Sequence, residues 1–170
     1  MTLPSGSFRA IDPIATALVE RFGMIPLPVE ATLFAQTYRG DELYGAGRIC
    51  TAGVGLYLDD PPSRSLFHRL AFDEIWHFYA GDPLRLVLLH PNGSDEEVVL
   101  GSPDGRHRVQ HLVPAGVWQA GELVAGSSWA LFGCTMAPGF TDDCFEGGEV
   151  ADLLAAYPRR AADIERLGVA

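Results

Sequence analysis

Residues 65–101 read SLFHRLAFDEIWHFYAGDPLRLVLLHPNGSDEEVVLG. Four apolar runs, SLFHRLAF, EIWHFYAG, LRLVLLH and EEVVLG, alternate with the turn chemistry of FDE, GDP and PNGSD. Runs of about four to eight residues bounded by Gly, Pro, Asn and Asp are strands joined by tight turns. The pattern continues through RVQHLVP, VWQAGEL and WALFGCTM, separated by SPDG, PAG and VAGS. Strands at this regular spacing, without alternating helices, predict a sandwich or barrel. Upstream, LFAQTYRG reads as a strand, and ICTAGVGLYL as one bent strand with glycines at close approaches. The β core is expected over about residues 33–136.

Helical signals flank this core. Asp12 can cap a helix with Pro13 at its first position, and Ile14, Leu18 and Phe22 follow at helical spacing before Gly23. That predicts a helix over 12–22. In EVADLLAAY, Val150, Leu153, Leu154 and Tyr157 form one stripe. Pro158 breaks it and can start a second helix carrying Ile164 and Leu167, so two helices are expected over about 148–167. The 170 residues suit a single domain over 1–170, and a chain near this length buries roughly 70% of its unfolded surface.

The formal charge of −10 repels phosphate backbones, so no nucleic-acid partner is expected. Cys50, Cys134 and Cys144 show no CxxC spacing, which predicts reduced thiols in a cytoplasmic setting. The leading MTLPSGSFRA lacks the pattern of a signal peptide, and no run is apolar enough to span a membrane.

The polar residues of the opening stretch divide by strand parity. Residues two apart share a face. Glu74, Trp76 and Phe78 therefore face one side, and Ile75, His77 and Tyr79 the other. A tight turn at 71–73 can bring His68 beside Glu74 inside a barrel, with His77 facing away.

The spacing resembles the first motif of the cupin superfamily, G-x5-H-x-H-x(3,4)-E-x6-G. His68, Glu74 and Gly81 match it, whereas Leu70 stands in place of the second histidine and Pro62 in place of the leading glycine. The second motif, G-x5-P-x-G-x2-H-x3-N, is similar to PAGVWQAGE. Pro114 and Gly116 match, with Gln119, Leu123 and Arg108 where histidine, asparagine and glycine belong. DEIWHFYAGDPL, VPAGVWQA and GCTMAPGF with DDCFE resemble the cupin_5 (DUF985) group more narrowly. Its N-terminal block HPEGGYFRETYRS corresponds to PVEATLFAQTYRG. Glu30, Phe34, Thr37, Tyr38 and Arg39 match, while Pro28, Ala31 and Thr32 replace a histidine and two glycines.

The resemblance implies a mainly β cupin jelly-roll (double-stranded β-helix) barrel with an N-terminal helix and C-terminal helices. It also implies a pocket at the barrel mouth and a homodimer. A complete cupin site offers three histidines and a glutamate to a transition metal. Here leucine cannot ligate and glutamine is a weak neutral oxygen ligand. No cofactor is therefore expected. A bound divalent transition metal would have to use His68, Glu74 and Gln119. Without metal, His68 and Glu74 form a candidate acid–base pair for moving a proton next to a carbonyl. Trp76 and Phe78 would wall a small-molecule pocket, Gln119 would hydrogen-bond the ligand, and Tyr57 and His111 are further candidates.

The leading functional expectation is a metal-independent isomerase, epimerase or cyclase acting on a small metabolite. A non-catalytic metabolite-binding cupin and a metal-dependent enzyme remain alternatives. The structural counter-readings are specific. Buried Glu74 needs a partner, for which Arg39 or Arg48 would serve. Trp118 should pack under helices or at a dimer contact, and Cys134 should be inert packing. Asp142, Asp143, Glu146 and Glu149 should form a solvated loop leading into a helix, and His90 and His107 should lie exposed beside turns.

Overall fold

A computed structural model describes residues 12–30, 32–45 and 47–169. The leading segment read above as no signal peptide lies outside them. The elements are α1 (Pro13–Phe22), β1 (Ile25–Pro26), β2 (Leu33–Arg39), β3 (Leu43–Tyr44), β4 (Gly47–Arg48), β5 (Thr51–Leu58), β6 (Ser65–Leu70), β7 (Glu74–Gly81), β8 (Leu84–Leu89), β9 (Asp95–Leu100), β10 (Gln110–Val113), β11 (Trp118–Leu123), β12 (Trp129–Met136), β13 (Phe145–Gly147), α2 (Val150–Ala156) and α3 (Ala161–Leu167).

Helix α1 forms where its capping signals place it. Asp12 accepts from the Ile14 amide, and Gly23 closes the helix in the left-handed conformation, φ 63°. Two local expectations need correction. ICTAGVGLYL is broken after Ile49–Cys50, because β4 pairs back on β3 as a small hairpin before β5 begins. In DDCFE, only the front forms a short turn of helix. Phe145–Gly147 becomes a strand paired with β6.

Two antiparallel sheets face each other. One runs β1-β2-β5-β12-β7-β10, the other β13-β6-β11-β8-β9. This is the double-sheet jelly roll of a cupin barrel. Directly opposed residues of an antiparallel pair share a face, so the register fixes what enters the barrel. In the six-stranded sheet the inner rows are Arg39–Thr51–Met136–Glu74, then Gln36–Gly53–Cys134–Trp76, then Phe34–Gly55–Phe132–Phe78. In the other sheet, Gln119 stands opposite His68, and a bulge between that pair and Gly121–Ser65 turns both Ser65 and His68 inward. Gly53 and Gly55 leave room for the rings of Phe34 and Phe132, with which any β-carbon would collide.

Helix α1 covers part of the outer face of the six-stranded sheet through Ala15, Val54, Leu56 and Leu131. Helices α2 and α3 cover the other sheet, packing Leu153, Ile164 and Leu167 on Phe67, Val87 and Leu89. Trp118 packs with this cluster and under the Arg69 guanidinium, 4.5 Å from its ring, on the helix side as parity predicts. An ion-pair network ties α3 down: Arg85 bonds Glu122, Glu97 and Asp163, and Arg166 bonds Glu122 and Asp163. A shallow surface depression of about 490 Å³ beside this network is lined by Asp95, Arg159, Arg160 and Asp163, charges already paired with one another or with neighbours.

The barrel interior is filled unequally. Toward one end Tyr57, Leu84, Leu86, Leu88, Leu100, Val98 and Phe132 close-pack with almost no exposed surface. Each such aliphatic side chain stabilises the fold by about 1.5–3 kcal/mol. Toward the other end the interior is hollow.

Candidate functional site

The hollow end is a cavity of about 920 Å³, large enough for a small organic molecule. Its polar lining includes Glu30, Thr32, Ser65, His68 and Glu74, and its walls include Phe34, Trp76, Phe132 and Phe145. His68 enters from β6 and Glu74 from the start of β7, so the sharp turn at 71–73 delivers both to one space.

His68 is only 4% exposed. Its Nδ1 lies 2.9 Å from the Leu66 carbonyl oxygen, a group that can only accept. Nδ1 is therefore the donor, and the tautomer this bond selects leaves the lone pair on Nε2. Nε2 has no hydrogen-bond partner among the described residues, although no fully enclosed side-chain nitrogen or oxygen there is left unsatisfied. It is thus open to the cavity. The ring is held on one side by Phe145, stacked at 5.3 Å.

The carboxylate beside the His68 ring is Glu30, whose Oε2 lies 3.5 Å from Nδ1. Glu74 makes no hydrogen bond to His68 and acts on it only through space. The expected His68–Glu74 pair is corrected accordingly: two buried groups face one cavity, each with its own partner. Glu74 is partnered by neither Arg39 nor Arg48. Its Oε2 accepts from Gln119 Nε2 at 2.8 Å, and the Cys134 thiol lies against it. Burial raises the Glu74 carboxyl above the ordinary carboxylate range, with His68 opposing and Glu30 reinforcing that shift. The Cys134 thiol is pushed well up by burial and by Glu74, so it stays protonated and inert as a nucleophile.

Gln119 does not offer its amide to a ligand. Its Oε1 accepts from Trp76 Nε1 at 2.7 Å while its Nε2 donates to Glu74, and it is 1% exposed. The chain Trp76–Gln119–Glu74 instead fixes one Glu74 oxygen. Three further expectations shift. Tyr57 is fully buried behind the cavity and donates to Ser65 Oγ at 2.7 Å, so it supports the floor without lining it. Phe78 faces inward but packs on the filled end of the barrel. His111 stands opposite Trp76 on β10, yet lies outside the cavity, with Nδ1 2.8 Å from Arg108 and Nε2 3.9 Å from Glu96. Trp76 lines the cavity as expected. His77 faces the opposite side, bonded to Thr135 and Gln110. Sequence reasoning missed Glu30 as a site residue. Its signal was its match to the cupin_5 N-terminal block, beside three positions that do not match.

The donor set does not fit the metal of a complete cupin site. Leu70 is apolar, the Gln119 oxygen is committed to Trp76, and Glu30 faces Nδ1, away from the Nε2 lone pair. Two donors remain, and among the described residues no group of three or more His, Cys, Asp or Glu is arranged to hold a metal ion.

The fold and this site define a cupin. The family model for the cupin superfamily group DUF985 matches residues 16–147, and the chain belongs to that family. A crystal structure of a protein from Shewanella oneidensis is similar at 29% identity, TM-score 0.82, over 91% of this chain and 96% of that one. A hypothetical protein from Leishmania major is similar at 25% identity, TM-score 0.81, over 92% of this chain and 99% of that one. Oxalate decarboxylase from Lactobacillus farciminis, at 7% identity and TM-score 0.52 over 85% of this chain and 41% of that one, shares the fold alone. No curated protein matches. Among the described residues no helix is long and apolar enough to cross a membrane.

Proposed function

We propose that the cavity binds a small metabolite and moves a proton on it without a metal, in an isomerase, epimerase or cyclase reaction. The observation that carries this reading is the His68 ring. It is buried, its tautomer is fixed by a backbone carbonyl, and its Nε2 lone pair faces the cavity. That is the geometry of a general base poised for a C–H next to a carbonyl. Glu74 supplies the acid. Burial raises its carboxyl above the ordinary range, and Gln119 holds one oxygen so that the other can donate to a substrate carbonyl where negative charge develops. Trp76, Phe132 and Phe145 exclude water and hold the apolar body of the ligand.

Elemental analysis before and after EDTA, paired with the His68→Ala variant, tests this reading. The expected result is substoichiometric metal that EDTA removes without loss of ligand turnover, and a His68→Ala protein that still binds the ligand but does not turn it over. Stoichiometric metal that resists EDTA overturns it in favour of a metal enzyme. Loss of binding alone in His68→Ala, with no turnover in the wild type, makes the cavity a receptor.

A further inference from the structure

The charges inside the cavity point to a substrate class. Glu30 has a side chain only 12% exposed, lines the cavity, and has no hydrogen-bond partner among the described residues. His68 Nδ1 lies 3.5 Å from it, but that proton is already given to Leu66 at the shorter distance of 2.9 Å. Glu74, which is buried, is a second acid in the same space. Among the described residues no arginine is buried with them, and the sequence contains no lysine. Arg39 lines the cavity from an exposed position at the end of β2. Among the described residues no arginine pairs with Glu30 or Glu74, so Glu30 offers the cavity a carboxylate that no arginine compensates. Beside the acids stand the rings of Phe34, Trp76, Phe132 and Phe145, whose faces attract positive charge. Nε2 of His68, without a hydrogen-bond partner among the described residues, marks independently where a ligand meets this space.

We infer that the ligand carries a protonated amine, seated against Glu30 and the aromatic wall, on an uncharged organic body that reaches His68 and Glu74. This rests on the proposed function and narrows its substrate to amine-bearing carbonyl compounds. The net charge of −10 favours the same sign at long range.

The test uses the full chain and three probes of nearly one shape, benzylamine (charged at neutral pH), benzyl alcohol and benzoate, followed through the Trp76 indole resonance. Benzylamine is expected to bind roughly tenfold or more tighter than benzoate, as fits a charge-assisted contact. Glu30→Gln should remove that advantage, with an unchanged far-UV circular dichroism spectrum and urea midpoint showing that the variant is folded. Glu30→Asp should restore part of it. Benzoate binding as tightly as benzylamine, or a benzylamine affinity indifferent to Glu30→Gln, overturns the charge assignment while leaving the cavity a binding site. If none of the three probes perturbs Trp76, the charge assignment and the binding reading fall together.

Discussion

The two ends of the barrel interior draw on different strands and differ in what those strands point inward. At the filled end, β8 and β9 contribute Leu84, Leu86, Leu88, Val98 and Leu100, and the space closes. At the hollow end, β6, β7 and the segment before β2 contribute His68, Glu74 and Glu30, and the space stays open. The boundary between them is one polar chain. Trp76 belongs to the packed cluster through its ring and to the polar end through its indole N–H, which it gives to Gln119. Stability is thus concentrated at one end and chemistry at the other, with Gln119 as the joint.

That division makes ordered predictions. Leu86→Ala at the filled end should destabilise by about 2–5 kcal/mol, read from urea unfolding, because it opens a cavity in close-packed surroundings. An effect near zero would mean that this end is not the structural core. Gln119→Leu should cost less, about 1–3 kcal/mol, by leaving the Trp76 N–H and a Glu74 oxygen without partners. If it costs nothing, the joint between the two ends does not exist in solution.

The third prediction is a pH slope. The folded state holds the Glu74 carboxyl above its ordinary value of 4.5, so it binds that proton more tightly than the unfolded chain does. This contribution favours folding at low pH, weakens as pH rises through 4.5, and becomes fully unfavourable once pH passes the folded value. Glu74→Gln should therefore gain stability relative to wild type from pH 4.5 upward. The acids that hold α3 behave oppositely. For Glu122 and Asp163, burial alone would raise the carboxyls, but Arg166 and Arg85 hold both below their ordinary values. Their stabilisation is present above those ordinary values and is lost as pH falls through the folded ones. Glu122→Gln should thus flatten the acid limb of stability that Glu74→Gln leaves intact. Smallest in stability is His68→Ala, expected within about 1 kcal/mol of wild type, since it removes one hydrogen bond and one ring stack beside an open cavity.

Much of this was legible in the sequence because it rests on short-range rules. Strand parity put Glu74 and Trp76 on one face and His77 on the other, and the Asp12–Pro13 pair fixed the start of α1. What escaped depended on partners distant along the chain. Gln119 looked like a ligand contact because its position matched a histidine motif. Only the fold brings Trp76 and Glu74 close enough to take both ends of its amide. His111 has the inward parity of Trp76, yet β10 is an edge strand, and inward there means the Glu96 side rather than the cavity. Tyr57 and Phe78 also face inward, but parity says nothing of depth along the barrel, and both lie beyond the hollow part. Glu30 arrives from a segment with no periodicity to read, and only the closed barrel sets it beside His68.

The most direct test of proton transfer at His68 Nε2 is deuterium uptake from D2O into a panel of amine-bearing carbonyl compounds, followed by NMR with protein kept in EDTA. Exchange next to the carbonyl that persists in EDTA and disappears in folded His68→Ala is the predicted result. Exchange that requires added metal, or that survives unchanged in His68→Ala, would contradict it.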